Sequence, residues 1–509
     1  MRAYLLSLLL LIGAAIGLAQ NKPEDKPAGH DDSAALTIYN QSFAVVRQTL
    51  PLDLKSGTNP VEVTDITSHL EPDSVILRDP KTGRDLHILE QNYRNDVASQ
   101  ARLLSLYEGK TIEFLINGVL KPGKIIRSGY IPHYEAYNSY DQQYYQQQQA
   151  YVNSGSSEPI IEIDGKLQFG LPGQPIFPAL TNETILKPTL SWLLQSDHAG
   201  TSNAEFSYVT GGMSWHADYN VVAPVSGNLL DIVGWVTLDN QTGKTFPNAH
   251  IKLMAGDVNK LQPQQYGIAD ANGELGAARM EAPAPAVTER SFDEYHLYTL
   301  ERPTTLYDRE TKQVEFVRAS GVPSQRVYVY DGLKLDQNYR GYPMENIREM
   351  ENFGVQSNSK IWTMVEFKNS KENHLGMPLP KGRVRFYRRD TDGQLEFTGE
   401  NLIDHTPGDE TIRLYTGNVF DAVGERKRTN YTIDRRARTI DESFEIKLRN
   451  HKKEPMEIRV VEHLYRWNNW EIIKNSDQFK KLDSQTVEFR VQVPPDGEKV
   501  VTYTAHYTW

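Results

Sequence analysis

The chain of 509 residues contains no cysteine. That excludes disulfides, thiolate nucleophiles, cysteine-ligated zinc and iron–sulfur clusters. It also has no long basic run. Asp plus Glu outnumber Lys plus Arg by 66 to 55, for a formal net charge of −11, so nucleic acid is not an expected partner. Helical periodicity is scarce and is confined to a stretch near Pro343–Phe353. Compact chemical motifs are missing too. There is no glycine loop ending in Gly-Lys-Ser/Thr, no dinucleotide fingerprint and no His-Glu-x-x-His, and no cofactor is expected.

At the start stands MRAYLLSLLLLIGAAIGLAQ. Arg2 supplies a positive n-region, and Tyr4–Ile16 is an apolar run too short for a comfortable membrane span. Gly17 and Ala19 put small residues at the −3 and −1 positions of a cleavage site before Gln20. Residues 1–19 therefore read as a signal peptide, with an uncleaved anchor as the alternative. The expected location is periplasmic or secreted, with membrane contact only through the cleaved peptide. Residues 20–34 are polar and proline-containing, as in a flexible tether.

From Leu36 onward the pattern has period two. Leu50, Leu52 and Leu54 alternate with Pro51 and Asp53, KSGTNP makes a turn, and Val61 and Val63 resume the alternation, a hairpin signal. Similar short strands recur to the end of the chain, separated by turns such as Asp239–Gly243 and the Asp-Gly of Thr391–Gln394. This spacing predicts a mainly β chain of two or three antiparallel β-sandwich (Ig-like) domains with little helix. The expected divisions are an N-terminal β domain over residues 35–180, a middle domain over 181–355 and a C-terminal sandwich over 356–509. Residues 133–158 are rich in Gln and Tyr and poor in aliphatics. They read as a disordered insertion, either idle or sticky towards a partner.

One stretch, GGMSWHADYNVV (211–222), sets Ser214, His216 and Asp218 within five residues. Strand alternation explains it without chemistry: Trp215, Ala217, Tyr219 and Val221 share one face and the polar residues the other. Same-face side chains project in parallel, so a Ser-His-Asp relay is geometrically poor. A His216/Asp218 metal pair needs a third ligand from elsewhere. The Asp-rich turns at 270–274 and 390–393 lack the twelfth-position Glu of a calcium loop. The C-terminal VTYTAHYTW alternates Val501, Tyr503, Ala505, Tyr507 and Trp509, as in the last strand of a sandwich or of an outer-membrane barrel. The best candidate interaction surface is polar, loop-like and dense in charge: His405 and Asp409 in one turn, and Asp421, Glu425, Arg426 and Lys427 in DAVGERK.

Several stretches in order carry a family resemblance: YVTGGMSWHADYNVV, GWVTLDNQTGKTFPNAHIKLMAGDV, FDEYHLYTLERPTTL, the run from LPKGRVRFYRRDTDGQLEFTGE to LYTGNVFDAVGERK, and PPDGEKVVTYTAHYTW. Together they cover most of Lys187–Trp509. The chain resembles a bacterial family of exported proteins of unsettled function, whose shared domain forms the C-terminal part of mucoidy inhibitor A-like proteins. It departs in lacking the long coiled coil of some members and in carrying the Gln/Tyr insertion. The resemblance implies a β-rich exported protein and transfers no catalytic residues. The expectation is a non-enzymatic envelope protein that engages another envelope protein or a polysaccharide. The alternatives are a cell-wall or capsular glycan hydrolase and an outer-membrane barrel.

Overall fold

Two-residue alternation organises nearly everything in the computed structural model. It describes residues 33–80, 84–130, 158–178, 184–256, 258–260, 287–292, 295–335, 343, 345 and 348–509. The expected signal peptide, the expected tether up to residue 32, the Asp-rich turn at 270–274 and residues 133–157 of the Gln/Tyr insertion lie outside these residues. Ser33–Trp509 form one compact unit, and it is mainly β, as expected. A short α-helix, Gln100–Leu106, is capped by the Ser99 side chain, which accepts from Arg102 N.

The first large sheet joins Ala35–Tyr39 and Phe43–Leu54 to Gly200–Gly211 and Phe246–Ala255. Thr189–Ser196 lies between Gly57–Thr64 and His87–Arg94 in a three-stranded sheet. Strands on either side of residue 180 are thus each other's ladder partners, and the expected boundary there is not a sheet boundary. A five-stranded sheet holds Thr111–Ile116, Val119–Arg127 and Ile160–Ile163 among its strands. It packs its own core of Ile112, Phe114, Ile125 and Ile161 beneath Leu104 of the helix.

The remaining strands make one thirteen-stranded sheet. In chain order they are β1 (Met213–Ala223), β2 (Leu229–Asn240), β3 (Glu310–Asp331), β4 (Lys360–Lys368), β5 (Gly382–Arg389), β6 (Leu395–Ile403), β7 (Thr411–Asp434), β8 (Thr439–Asn450), β9 (Met456–His463), β10 (Trp470–Asn475), β11 (Phe479–Lys481), β12 (Thr486–Val493) and β13 (Gly497–Thr508). Their order is β6-β5-β1-β2-β3-β4-β7-β8-β13-β10, with β9 pairing to β3 and β12, and β11 to β12. Ladders are antiparallel except β1 with β5 and β3 with β9 here, and Ala35–Tyr39 with Phe246–Ala255 in the first sheet.

The half from β6 to β7 rolls until β6 comes against β7. Asn401 Nδ2 donates to Tyr415 O at 3.2 Å. Gly399, at φ +146°, abuts Thr416 so closely that a Cβ would meet its carbonyl oxygen at 2.8 Å. No ladder forms at this seam, so the roll stays open, and among the described residues no sheet closes on itself. Its interior is filled by Tyr219, Phe316, Phe367, Val384 and Phe386. The inward face of β1 also continues onto the first sheet, where Trp215 Nε1 donates to Met254 O at 3.1 Å. Among the described residues no helix is long and apolar enough to cross a membrane.

The other half is a sandwich whose core holds Phe444, Ile446, Val460, Phe489, Tyr503 and Tyr507. The aromatic face of the last strand is buried there, as the sandwich alternative for VTYTAHYTW expected. Ionic pairs lie within this core. Arg426 Nε sits 2.9 Å from both oxygens of Glu462, which also accepts from the Tyr503 hydroxyl. Arg466 binds Glu442 through two bonds of 2.7 Å.

Burial pushes the phenols of Tyr208, Tyr219, Tyr298, Tyr330, Tyr503 and Tyr507 above their usual range. The folded state keeps them neutral, whereas the unfolded chain ionises them near a pH of about 10. Their stabilisation is therefore complete below that pH and is lost as pH rises through it towards the raised values. In an alkaline titration followed by phenolate absorbance and circular dichroism, these six are expected to ionise only as β-structure is lost. Ionisation of all tyrosines ahead of unfolding would contradict the assignment.

Candidate functional site

At one end of the roll the strand ends form a mouth. Pro224 stops β1, and the turn to β2 passes through Gly227 at φ +89°. Ser324 of β3 closes that turn from the side, with its N and Oγ donating to Asn228 O at 2.8 and 2.6 Å. Three ladders slip register close by, at Leu230/Ile232, Thr363/Met364 and Phe386/Tyr387. Such bulges bend strands and re-aim side chains at barrel rims. The result is a cleft of about 190 Å³.

The floor of the cleft is apolar, with Ala223, Leu230, Val365 and Phe386. Its walls carry the hydroxyls of Ser324, Thr363, Thr398 and Thr416, the amides of Asn228 and Asn418, and two guanidiniums, Arg326 and Arg388. Among the described residues no carboxylate lines it. Arg388 is oriented by one bond, from Nη1 to Pro224 O at 2.9 Å. Burial, with the Arg326 charge nearby, holds its pKa below the usual arginine value.

A second polar feature crosses the outer face of the roll. His216 Nε2 lies 3.2 Å from Asp218 Oδ2. Thr237 Oγ1 donates to the same oxygen at 3.0 Å and itself accepts from Gln313 Nε2 at 3.1 Å. Arg385 Nη1 stands 3.6 Å from Asp218 Oδ1, and its Nε 3.7 Å from Glu400. The face alternation expected for this stretch holds, with Trp215, Ala217, Tyr219 and Val221 buried. His216 and Asp218, two apart on this face, do reach each other. The relay is still incomplete, because Ser214 makes no hydrogen bond to His216. Both Asp218 oxygens are occupied by protein partners, and among the described residues no three His, Asp or Glu side chains gather as a metal site. This row is an ion-pair ladder on a wall strand.

The candidate interaction surface does not assemble. His405 and Asp409 sit in the turn between β6 and β7, at the end of the roll opposite the mouth. His405 Nδ1 accepts from Lys381 N at 3.2 Å. Asp409, at φ +66°, lies 3.9 Å from Lys368 Nζ. DAVGERK is not a loop but the middle of β7. Asp421, Glu425 and Lys427 point outward from the strand, beside the fully exposed Phe420, while Arg426 points inward. Arg426 belongs to the core through Glu462 and also donates to Gly354 O at 2.7 Å. Its neighbour Gly424 is required for space, since a Cβ there would come within 2.1 Å of the Tyr330 ring.

A scan against protein-family models finds no match, and a search of the curated proteins finds none either.

The mouth arginines were not singled out in the sequence, yet one signal marks Arg388. Along Gly382–Arg389 it falls in phase with Val384 and Phe386, on the inward face, where a charge has no ordinary place. Arg326 carries no comparable mark.

Glu462→Ala would leave Arg426 buried without its counter-charge. The expected loss is about 3–5 kcal/mol in urea unfolding, whereas Lys427→Ala one residue along changes stability by no more than about 0.5 kcal/mol. Equal effects would place Arg426 back on the surface.

Proposed function

We propose that this chain is an exported, non-enzymatic envelope protein whose β-rich body serves as a binding module, and that its partner is a polysaccharide of the envelope. The resemblance to exported mucoidy inhibitor A-like proteins and the leader-like first residues support the location. The observation that carries the function is the mouth: a concave site on rigid strand ends, lined by hydroxyls, amides and guanidiniums over an apolar floor. Binding sites concentrate in such mouths. At about 190 Å³ the cleft is smaller than the roughly 300–1,000 Å³ of typical small-molecule sites, which suits one unit of a longer chain. Glycoside hydrolysis requires a pair of carboxyl groups across the scissile bond, and this cleft presents none. Outside the cleft, the Arg318 guanidinium beside Glu315 holds that carboxyl below the usual range, the opposite of a poised general acid.

Electrophoresis of the purified protein through gels containing host envelope polysaccharide tests the reading, with the size of the polymer followed in parallel. Retarded migration with unchanged polymer length is expected. Shortened polymer would replace the module with a hydrolase. Unretarded migration, together with a single crosslinked envelope protein, would move the partner to protein. Export is checked separately by the mass of protein released by osmotic shock, expected to begin at Gln20.

A further inference from the structure

Many of the arginines meet a carboxylate, while Arg47, Arg302, Arg383 and Arg389 stand singly at the exposed surface. Arg78 meets Glu205, Arg318 meets Glu315, Arg413 and Arg459 share Glu366, Arg426 meets Glu462, and Arg466 meets Glu442. Carboxylates are in excess by 66 to 55, so an unpaired guanidinium is not forced by composition. What sets the mouth apart is that two unpaired guanidiniums line one cleft. Arg326 makes no hydrogen bond or ion pair with any described residue. Arg388 makes only the bond to Pro224 O, which leaves most of its five donors without a protein acceptor. Glu396 faces Arg388 across the β5–β6 ladder, yet forms no ion pair with it. Burial, with the Arg326 charge nearby, holds the Arg388 pKa below the usual arginine value.

We propose that Arg326 and Arg388 together form an anion site in the mouth, and that it holds the acidic group of a charged sugar unit, a carboxylate or a phosphate ester, within the polysaccharide. The inference rests on the binding-module reading above and names the chemistry of its ligand. A planar guanidinium fork matches the oxygens of either group with two parallel bonds. The side-chain amides of Asn228 and Asn418 line the same cleft and make no hydrogen bond of their own among the described residues. They supply donors and acceptors for ring hydroxyls, while Leu230 and Phe386 offer an apolar floor to the C–H face of the ring. The site is built on strands from both edges of the roll, so the backbone that carries its donors is fixed before the ligand arrives, and the ordering cost of binding is confined to the side chains.

Calorimetric titration of the purified protein with trigalacturonate, with maltotriose as the neutral counterpart and with inorganic phosphate tests this. Trigalacturonate is expected to bind at least about tenfold more tightly than maltotriose, and its affinity to fall as salt rises. Arg326→Ala and Arg388→Gln are each expected to lose about tenfold or more, the scale of one charge-assisted hydrogen bond. Arg326 is exposed and unbonded, so its variant keeps the wild-type melting temperature and remains interpretable if Arg388→Gln folds poorly. Competition by inorganic phosphate assigns the site to phosphate esters as well as carboxylates, and its absence assigns it to the carboxylate alone. Equal binding of trigalacturonate and maltotriose, or wild-type binding by Arg326→Ala, would overturn the anion site and leave the module standing. No binding of any of the three, with no retardation in polysaccharide gels, would remove both.

Discussion

Two strands are too long for any single layer, and the architecture follows from them. β3 has 22 residues and β7 has 24, against about 3–10 for ordinary strands. At about 3.3 Å per residue each spans roughly 70 Å or more. A twisted sheet cannot keep one face against one core over that distance. The first part of β3 pairs with β2, and its last part pairs with β4 and β9. The first part of β7 pairs with β4, and its last part pairs with β8. The roll and the sandwich are therefore two ends of the same strands. A boundary near residue 355 exists in the chain order but not in the hydrogen bonding.

The mouth is where this arrangement leaves a gap. The bulges that let the strands pass from roll to sandwich also open the ladder ends, and polar side chains gather where pairing is interrupted. Two opposite solutions to the placing of arginine result. In the sandwich, guanidiniums are enclosed and each is matched to a carboxylate, because an unpaired buried charge is costly. In the mouth, water reaches the guanidiniums and the matching carboxylate is absent. Glu462 and Glu442 do for the core what a ligand is proposed to do for the cleft.

Alternation made most strands legible in the sequence. Thr189–Leu194, Tyr295–Leu300, Glu457–His463 and Thr486–Val493 stand close to where the pattern put them. What stayed hidden has physical causes. Val314–Arg318 and Arg326–Tyr330 read as separate strands because Gly321 and Pro323 punctuate them, yet one strand runs through both: its ladder with β2 slips register near Leu230 and ends at Pro323, where the ladder with β4 takes over. DAVGERK read as a loop because charge density outweighed its alternation, in which Ala422, Gly424 and Arg426 form the inward set. Parallel pairing of β1 with β5 joins segments some 160 residues apart, and no local pattern encodes a partner at that distance. The cleft was hidden for the same reason. It draws residues from seven strands, each of which looks ordinary alone, and only the phase of Arg388 hints at it.

The place of β13 has a consequence for how the molecule is made. Residues 497–508 do not lie at an edge but between β8 and β10, with twelve ladder pairs to β8 alone. Tyr503 and Tyr507 from this strand fill the centre of the sandwich, and Tyr503 completes the hydrogen bonding of Glu462. The sandwich therefore cannot close until these residues have been synthesised. Until then Arg426 and Glu462 lack the wall that shields them, and the nascent chain stays open while it leaves the ribosome. Under the proposed export, a core that locks only when β13 arrives acts as a timer, one that keeps the preceding strands of the sandwich threadable until residues 497–508 have been made.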